Sequence, residues 1–195
     1  MVRENFRDRF QKTIIEIANQ VKVNGNLSQT DNIINLFKAI LEIHELNRFI
    51  FVYGAGRSGF VGRCFAQRLM HLGIRSCFIS DAVTYQYTKE DLLILISGSG
   101  ETTSTVAIAK EARKIGGKIA SFGANPQSTI GKITDYFIEI QGKSKDMATS
   151  QESLAPYTSL FDISTLAVLD SLGGLLMNKL SVTEADIDNR HATIE

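Results

Sequence analysis

The residues best suited to chemistry in this chain are the hydroxyl side chains of one short segment, Ser97–Ser104. The apolar run Leu92–Ile96 before it indicates a buried strand, and Glu101 to Ile115 has helical periodicity. The segment therefore lies at a predicted helix N-terminus, where free N–H groups and the helix dipole favour an anion. The side chains that we expect to bind a phosphate monoester are Ser97, Ser99, Thr102 and Thr103.

This segment has two other possible interpretations. An ordinary helix cap with additional serines would explain the same residues without any ligand. A nucleotide P-loop is excluded because no Lys follows Gly100. Gly98 and Gly100 let the backbone close around a small ligand, which favours the phosphate site.

A second glycine-rich turn, Gly54–Gly59, also lies between a predicted strand and a predicted helix. It satisfies the dinucleotide-binding fingerprint, and Asp81 stands where a ribose-binding acid would be expected. A nicotinamide dehydrogenase is therefore an alternative, although five strands leave no room for a separate substrate domain. Arg57 suits a small anionic substrate instead. We expect Gly56, Arg57 and Ser58 to contact the sugar chain or its phosphate.

The elements that must position these turns alternate between strand and helix, which predicts an α/β fold. It is a three-layer αβα sandwich around a five-stranded parallel sheet, similar to the flavodoxin arrangement. Predicted strands span 49–53, 75–79, 92–96, 118–122 and 136–140. Predicted helices span about 6–21, 31–46, 58–72, 101–115, 129–134, 159–180 and 183–190. Ligands bind such sheets where strand order reverses, so both turns should face one crevice.

The length and composition predict a single domain over residues 1–195. Its parts would be N-terminal helices in 1–47, the sheet core in 48–141 and C-terminal helices with a tail in 154–195. The 21 Lys and Arg balance the 21 Asp and Glu, so we expect no nucleic-acid partner. No signal peptide or membrane-spanning run is apparent, and Cys64 and Cys77 are expected to be buried thiols in a reducing cytoplasm.

Several separated blocks resemble the sugar isomerase (SIS) domain family, and within it the 6-phospho-3-hexuloisomerases. These blocks are Gly54–Phe60, Arg68–Gly73, Ser97–Thr103, Pro156 with Ser159–Phe161, and Arg190–Ala192. The resemblance covers roughly Leu46 to the C-terminus. It implies conversion of D-arabino-hex-3-ulose 6-phosphate to D-fructose 6-phosphate through a cis-enediol(ate), with no metal and no cofactor. The implied setting is the ribulose monophosphate route of formaldehyde fixation.

The resemblance also implies catalytic residues and an assembly. Glu152 matches the family's catalytic glutamate, and a carboxylate shielded from water is a suitable base because desolvation raises its pKa toward neutrality. His191 matches the near-terminal Arg-His-Ala and is the candidate proton shuttle. For both residues the alternative is a solvated surface side chain. The implied assembly is a homo-oligomer, a tetramer whose sites take residues from neighbouring subunits.

The chain departs from the family's pattern in two places. Between the second and third predicted strands it has the sequence VTYQYT where the family has a Thr followed closely by Pro, and Thr84 there is a candidate sugar contact. After Pro156 it has Tyr157 and Thr158 where the family has Met-Gly. Tyr85, Tyr87 and Tyr157 thus leave the preferred sugar open.

Two further functions remain as alternatives to the hexuloisomerase. One is an isomerase of another sugar phosphate, and the other is a non-catalytic regulator that binds a phosphosugar. The sequence also leaves open which subunit supplies Glu152 and His191 to each site. We expect apolar faces of the first two helices and of the helix 159–180 to pack against other subunits.

Overall fold

The computed structural model describes residues 2–26, 30–142 and 153–193. In them a parallel sheet is formed by β1 (Ile50–Gly54), β2 (Ser76–Phe78), β3 (Leu92–Ile96), β4 (Lys118–Gly123) and β5 (Tyr136–Glu139). The strands lie in the order β2-β1-β3-β4-β5. All five residues of β3 are buried, as expected for the central strand of a sheet covered on both faces. The predicted α/β fold is confirmed.

Helices cover the sheet on both sides. They are α1 (Val2–Gly25), α2 (Thr30–Glu45), α3 (Arg57–His71), α4 (Thr103–Ile115), α5 (Ser159–Lys179) and α6 (Glu184–Arg190), with a 3-10 helix at Gly131–Ile133. One apolar cluster joins the sheet to α2, α3 and α5, and a second joins the opposite face to α4. These two layers bury the alternate side chains of the same strands.

Element boundaries differ from the predictions by a few residues at several places. The first helix continues to Gly25, where the Asn24 side chain bonds the carbonyl oxygens of Gln20 and Gln141. α4 begins at Thr103 rather than Glu101, because Thr102 has the extended backbone of an N-cap. The predicted helix at 129–134 is a single 3-10 turn.

The register of the two central strands fixes the position of the glycine turns. Gly54 at the end of β1 pairs with Ile96 at the end of β3. The chain turns to β2 on one side of this pair and to β4 and β5 on the other, so strand order reverses between β1 and β3. The turns that follow these two strands therefore lie side by side, at the place where such sheets bind ligands.

α5 is the helix among the described residues whose length and composition would suffice to cross a membrane. Half of its most apolar stretch is buried inside the protein. Leu169, Leu172 and Leu176 are almost completely buried in the cluster that also contains side chains of α2 and α3. This packing is typical of a core helix.

The prediction of two buried cysteines is wrong for Cys64. This residue lies on α3, whose buried face includes Val61, Phe65 and Leu69, and its side chain falls outside that face and is exposed. Cys77 lies on the edge strand β2 and is half-buried. Burial raises the pKa of the Cys77 thiol above its ordinary value.

Candidate functional site

A cavity of about 320 Å³ opens at the carboxyl ends of β1 and β3. One wall is the glycine turn, residues 55–58, and a second is the hydroxyl turn with Ser97, Gly98, Ser99 and Thr102. Tyr157, Thr158 and Phe161, at the start of α5, close a third side. The two turns therefore face one crevice, as predicted, and the volume is suited to a small ligand.

Two glycines allow the backbone to form these walls. Gly56 precedes α3 with φ +58°, and Gly100 lies in the hydroxyl turn with φ +67°. Residues with a side chain rarely adopt this left-handed backbone conformation. A Cβ atom on Gly100 would also overlap the side chain of Ser128. The hydroxyl turn can take this shape only because residue 100 has no side chain.

The starts of α3 and α4 supply hydrogen-bond donors for an anion. Neither N-cap residue, Gly56 or Thr102, caps its helix with a side-chain hydrogen bond. The first N–H groups of both helices are therefore free of side-chain caps, and residues at both helix starts line the cavity. Two converging helix N-termini form a site for a phosphate or carboxylate.

The serine hydroxyls of the turn are partly engaged within it. Ser97 Oγ accepts a hydrogen bond from the Gly100 N–H at 3.2 Å, and Ser99 Oγ accepts one from the Glu101 N–H at 3.2 Å. Because both hydroxyls act as acceptors here, their hydrogens remain available to donate to a ligand in the cavity. Their oxygen positions are fixed by the same bonds.

Glu101 is held away from the cavity. Its carboxylate accepts hydrogen bonds from the Thr129 N–H at 2.6 Å and the Thr129 hydroxyl at 2.7 Å. These two bonds lower the pKa of Glu101 below its ordinary value. The carboxylate therefore bonds to the neighbouring loop and does not line the cavity.

Asp162, in the first turn of α5, was not predicted as a site residue. Its carboxylate accepts hydrogen bonds from Arg57 Nε at 2.9 Å, Ser58 Oγ at 3.1 Å and Thr158 Oγ1 at 2.7 Å. The Asp162 side chain is 4% exposed, whereas that of Arg57 is 60% exposed. The sequence signal for this residue is an acidic side chain in the first turn of a largely apolar helix.

Some predicted site residues lie outside the cavity wall. Thr103 is exposed at the first position of α4, and Thr84 is exposed beside β2, with its hydroxyl 4.0 Å from Cys77 Sγ. Neither lines the cavity. Glu152 lies outside the described residues. Among the residues that are described, no cluster of His, Cys, Asp and Glu could hold a metal ion.

His191 lies at the far end of α3 from the cavity of its own chain. Its ring stacks on that of His71 with centroids 5.1 Å apart, and Arg190 Nη1 donates to the His71 carbonyl at 3.0 Å. α3 has 15 residues, so about 22 Å separate its two ends. The His71 side chain is buried, and burial together with nearby His191 and Arg68 lowers the pKa of His71.

The three tyrosines that distinguish this chain lie at opposite ends of the strands, two near the amino ends and one near the carboxyl ends. Tyr85 stacks on Phe49 at 4.1 Å, and the Tyr87 hydroxyl donates to the Lys118 carbonyl at 3.2 Å. Phe49 and Lys118 stand where β1 and β4 begin, opposite the cavity. Of the three tyrosines, Tyr157 lines the cavity.

These observations define an α/β protein with a candidate anion site at the switch point of its sheet, and comparison with protein families gives the class. The model of the SIS domain matches residues 43–167. This match spans both glycine-rich turns, the whole sheet and the start of α5. The chain belongs to the SIS domain family.

Three known proteins illustrate the relationship. The 3-hexulose-6-phosphate isomerase of Bacillus subtilis (strain 168) is 33% identical over 183 residues, which are 93% of this chain and 97% of that protein. A crystal structure of a Methanococcus jannaschii protein, with an inferred function of 3-hexulose-6-phosphate isomerase, is 31% identical with a TM-score of 0.81 and covers 94% of this chain and 99% of that one. The arabinose 5-phosphate isomerase KpsF of Escherichia coli is 31% identical over 147 residues, which are 73% of this chain and 43% of that protein.

Proposed function

We propose that this protein is a sugar-phosphate isomerase, and specifically a 6-phospho-3-hexuloisomerase. It would convert D-arabino-hex-3-ulose 6-phosphate to D-fructose 6-phosphate without a metal or cofactor. The observation that carries the proposal is the cavity between two helix N-termini, in a chain 33% identical to a relative of that name. The proposed setting is the ribulose monophosphate route in the cytoplasm.

The phosphate is held by the hydroxyl turn in this proposal. Ser97, Ser99 and Thr102 line the cavity and offer hydroxyl donors, and the first N–H groups of α4 add backbone donors. Arg57 supplies the positive charge at the opposite wall. Gly56 and Ser58 contact the sugar chain. We assign no ligand contact in this cavity to Thr103 and Thr84, which lie outside its wall.

The reaction moves a carbonyl from C3 to C2 of the sugar. A base removes the proton from C2 to form a cis-enediol(ate), and that proton returns to C3 while another passes from O2 to O3. Donors around the two oxygens stabilise the negative charge that develops in the transition state. We assign the base to Glu152 and the transfer between oxygens to His191.

The described chain after Glu152 supports this assignment. Ser153 Oγ and the N–H groups of Leu154 and Ala155 all donate to the Glu16 carboxylate of α1, at 2.6, 2.8 and 2.9 Å. Tyr157 and Thr158, a few residues further, line the cavity. The segment that begins next to Glu152 is thus anchored to α1 and continues directly into the cavity wall.

His191 requires a second subunit for this role, since it lies at the far end of α3 from its own cavity. We therefore propose a homo-oligomer, a tetramer, in which the shuttle comes from a neighbouring chain. Phe6, Phe10 and Ile14 on α1 are more than half exposed, as is Leu175 on α5. Apolar surface of this extent is typical of a protein–protein interface.

A coupled assay of D-fructose 6-phosphate formation from the 3-hexulose phosphate tests the function. Glu152→Gln keeps the shape of the side chain but cannot accept the proton, so we expect kcat to fall by at least about a hundredfold. KM should change by less than about threefold, because the phosphate contacts are retained. Exchange of substrate hydrogen with deuterated water should fall in parallel.

The matched control is Glu111→Gln, which removes an exposed carboxylate paired with Lys114 on α4. Surface pairs of this kind contribute little, so its kinetics should equal those of the wild type. Loss of binding in Glu152→Gln with no specific loss of turnover would contradict the assignment. A wild-type protein that binds D-fructose 6-phosphate but exchanges no hydrogen would be a regulator.

The lining of the cavity favours one alternative, an isomerase that acts on a different sugar phosphate. Tyr157 lies in the cavity wall with 56% of its surface exposed, at a position where the resemblance predicts Met. A ring at this place narrows the space available to the sugar. The assay should therefore include pentose and heptose phosphates, and a higher kcat/KM for one of them would reassign the substrate while retaining the reaction.

A further inference from the structure

Asp162 lies behind the cavity wall and connects three residues that form it. The carboxylate itself is outside the cavity lining, whereas its hydrogen-bond donors Arg57, Ser58 and Thr158 all line the cavity. Arg57 and Ser58 begin α3, and Thr158 precedes α5. One buried side chain thus joins two walls of the site.

We propose that Asp162 is a positioning residue that orients Arg57 for the phosphosugar. The proposal rests on the function proposed above and identifies a residue that sequence patterns did not indicate. Asp162 does not touch the ligand. It acts through the guanidinium of Arg57 and through the two hydroxyl groups that it holds in place.

The geometry of Arg57 shows how this works. Arg57 donates from Nε to Asp162 Oδ2. Its two terminal nitrogens have no hydrogen-bond partner among the described residues, although the side chain lines the cavity. A guanidinium held by its inner nitrogen presents its outer N–H groups as a fixed pair, which matches two oxygens of a phosphate.

Fixing this side chain in advance improves binding. An exposed arginine has many rotamers, and ordering them when a ligand arrives opposes association. A side chain that is already ordered by a buried carboxylate avoids most of that loss. The Arg57 side chain is 60% exposed, and among the described residues Asp162 is its hydrogen-bond acceptor.

The charge balance distinguishes orientation from simple attraction. Asp162 carries one negative charge and Arg57 one positive charge, so their pair is neutral overall. If the site needed only positive potential, a buried carboxylate beside the arginine would be unfavourable. The same carboxylate is useful when the direction of the guanidinium matters more than its net charge.

The hydroxyl contacts extend the same effect to both walls. Ser58 donates its hydroxyl hydrogen to Asp162 Oδ1, so the lone pairs of Ser58 Oγ are left for a sugar hydroxyl. Thr158 has a left-handed backbone, φ 59°, and donates to Asp162 Oδ2. This bond stabilises the turn that brings Tyr157 to the cavity.

A double-mutant cycle with Asp162→Asn and Arg57→Ala tests the proposal. Asp162→Asn alone should raise KM for the phosphosugar about tenfold, since a hydrogen bond to a charged group is lost, with a smaller change in kcat. In the Arg57→Ala background the same change should raise KM by only about threefold, the part that comes from the contacts of Asp162 with Ser58 and Thr158. Independent, multiplicative effects would overturn the proposal.

Asp170→Asn is the matched control. Asp170 lies on the same helix and pairs with Arg68 at 3.2 Å, but both of these side chains are exposed and distant from the cavity wall. Its KM and kcat should equal those of the wild type. If the wild-type protein is active and Asp162→Asn has the same KM and kcat as Asp170→Asn, the positioning role is wrong.

Two further measurements keep the outcome clear. Thermal unfolding of each variant separates a folding defect from a binding defect. Asp162→Glu keeps the charge but displaces it by one methylene, so its KM should lie between those of wild type and Asp162→Asn. If Asp162→Asn does not fold, Asp162→Glu replaces it in the cycle. A wild type that neither isomerises nor binds any phosphosugar would instead refute the proposed function.

Discussion

The hydroxyl turn has no space for a side chain at residue 100. Gly100 has φ +67°, and a Cβ atom there would overlap Ser128. We predict that Gly100→Ala destabilises the fold by about 2 kcal/mol, from backbone strain and overpacking together. It should also weaken phosphosugar binding, because Ser97 and Ser99 lose their fixed positions. Denaturant unfolding and titration with D-fructose 6-phosphate measure the two effects.

Gly174→Ala is the matched comparison for this change. Gly174 lies inside α5 in ordinary helical conformation, and a Cβ atom there would meet nothing within 4 Å. Replacing it should stabilise the protein by about 0.5 kcal/mol, since alanine loses less backbone freedom on folding than glycine. Equal effects at the two positions would show that the turn at Gly100 is not sterically constrained.

Individual site residues differed in how far sequence could identify them. Ser97, Ser99 and Arg57 lie in turns between a strand and a helix, so their local pattern already indicated the cavity that they line. Asp162 is 105 residues from Arg57 in the chain, and nothing local links the two. Such a pair exists only after α3 and α5 have packed together.

At the scale of elements, the short helix α6 depends on its N-terminal cap for stability. It has seven residues, too few to be stable in isolation. Thr183 accepts from the Asp186 N–H, while the Asp186 carboxylate accepts from the Thr183 N–H and hydroxyl. We predict that Thr183→Ala costs about 1 kcal/mol of unfolding free energy. Ser171→Ala, which removes an exposed hydroxyl bonded within α5, should be nearly neutral.

The same cap gives a pH dependence with a definite sign. Hydrogen bonds from Thr183 lower the pKa of Asp186 below its ordinary value. A carboxyl whose pKa is lowered by folding contributes stability above its unfolded pKa, and this contribution is lost as the pH falls through the folded value. The difference between wild type and Thr183→Ala should therefore be largest at neutral pH and shrink in acid. A difference that grew in acid would contradict the capping box.

Hydrophobic periodicity predicted the long elements of this fold but not the short turns or the exact ends of helices. The strands and long helices were predicted because their apolar patterns are set by burial against the sheet. The short turn at Gly131–Ile133 and the start of α4 at Thr103 depend on individual hydrogen bonds, which a hydrophobic pattern does not contain. Ends of helices differ for the same reason.

At the scale of the whole molecule, the position of His191 predicts active sites that are shared between chains. His191 stacks on His71, about 22 Å from the cavity of its own chain. We predict that co-expressed Glu152→Gln and His191→Ala chains regain activity although each alone is inactive. Random assembly would give about a quarter of wild-type activity if the two residues of a site come from different chains. Purification through one tag on each variant isolates the mixed oligomer.

Two comparisons make the result decisive. A mixture of Glu152→Gln with a chain carrying both changes has no chain that supplies the glutamate, so it should stay inactive. Mixed oligomers of the two single variants that also stay inactive would show that each site takes both residues from one chain. A protein that sediments as a monomer at micromolar concentration would exclude shared sites altogether.

The amino-acid order by itself determined the alternation of strands and helices, the parallel sheet and the two glycine-rich turns, because these depend on periodicity and backbone freedom within a few residues. It also indicated the SIS domain family. Tertiary structure alone decided that Asp162 holds Arg57 and that His191 is remote from the cavity of its own chain. It also decided that Tyr157 reaches the cavity, whereas Tyr85 and Tyr87 lie at the amino ends of the strands. These are contacts between distant segments, and only the packing of helices on the sheet brings such segments together.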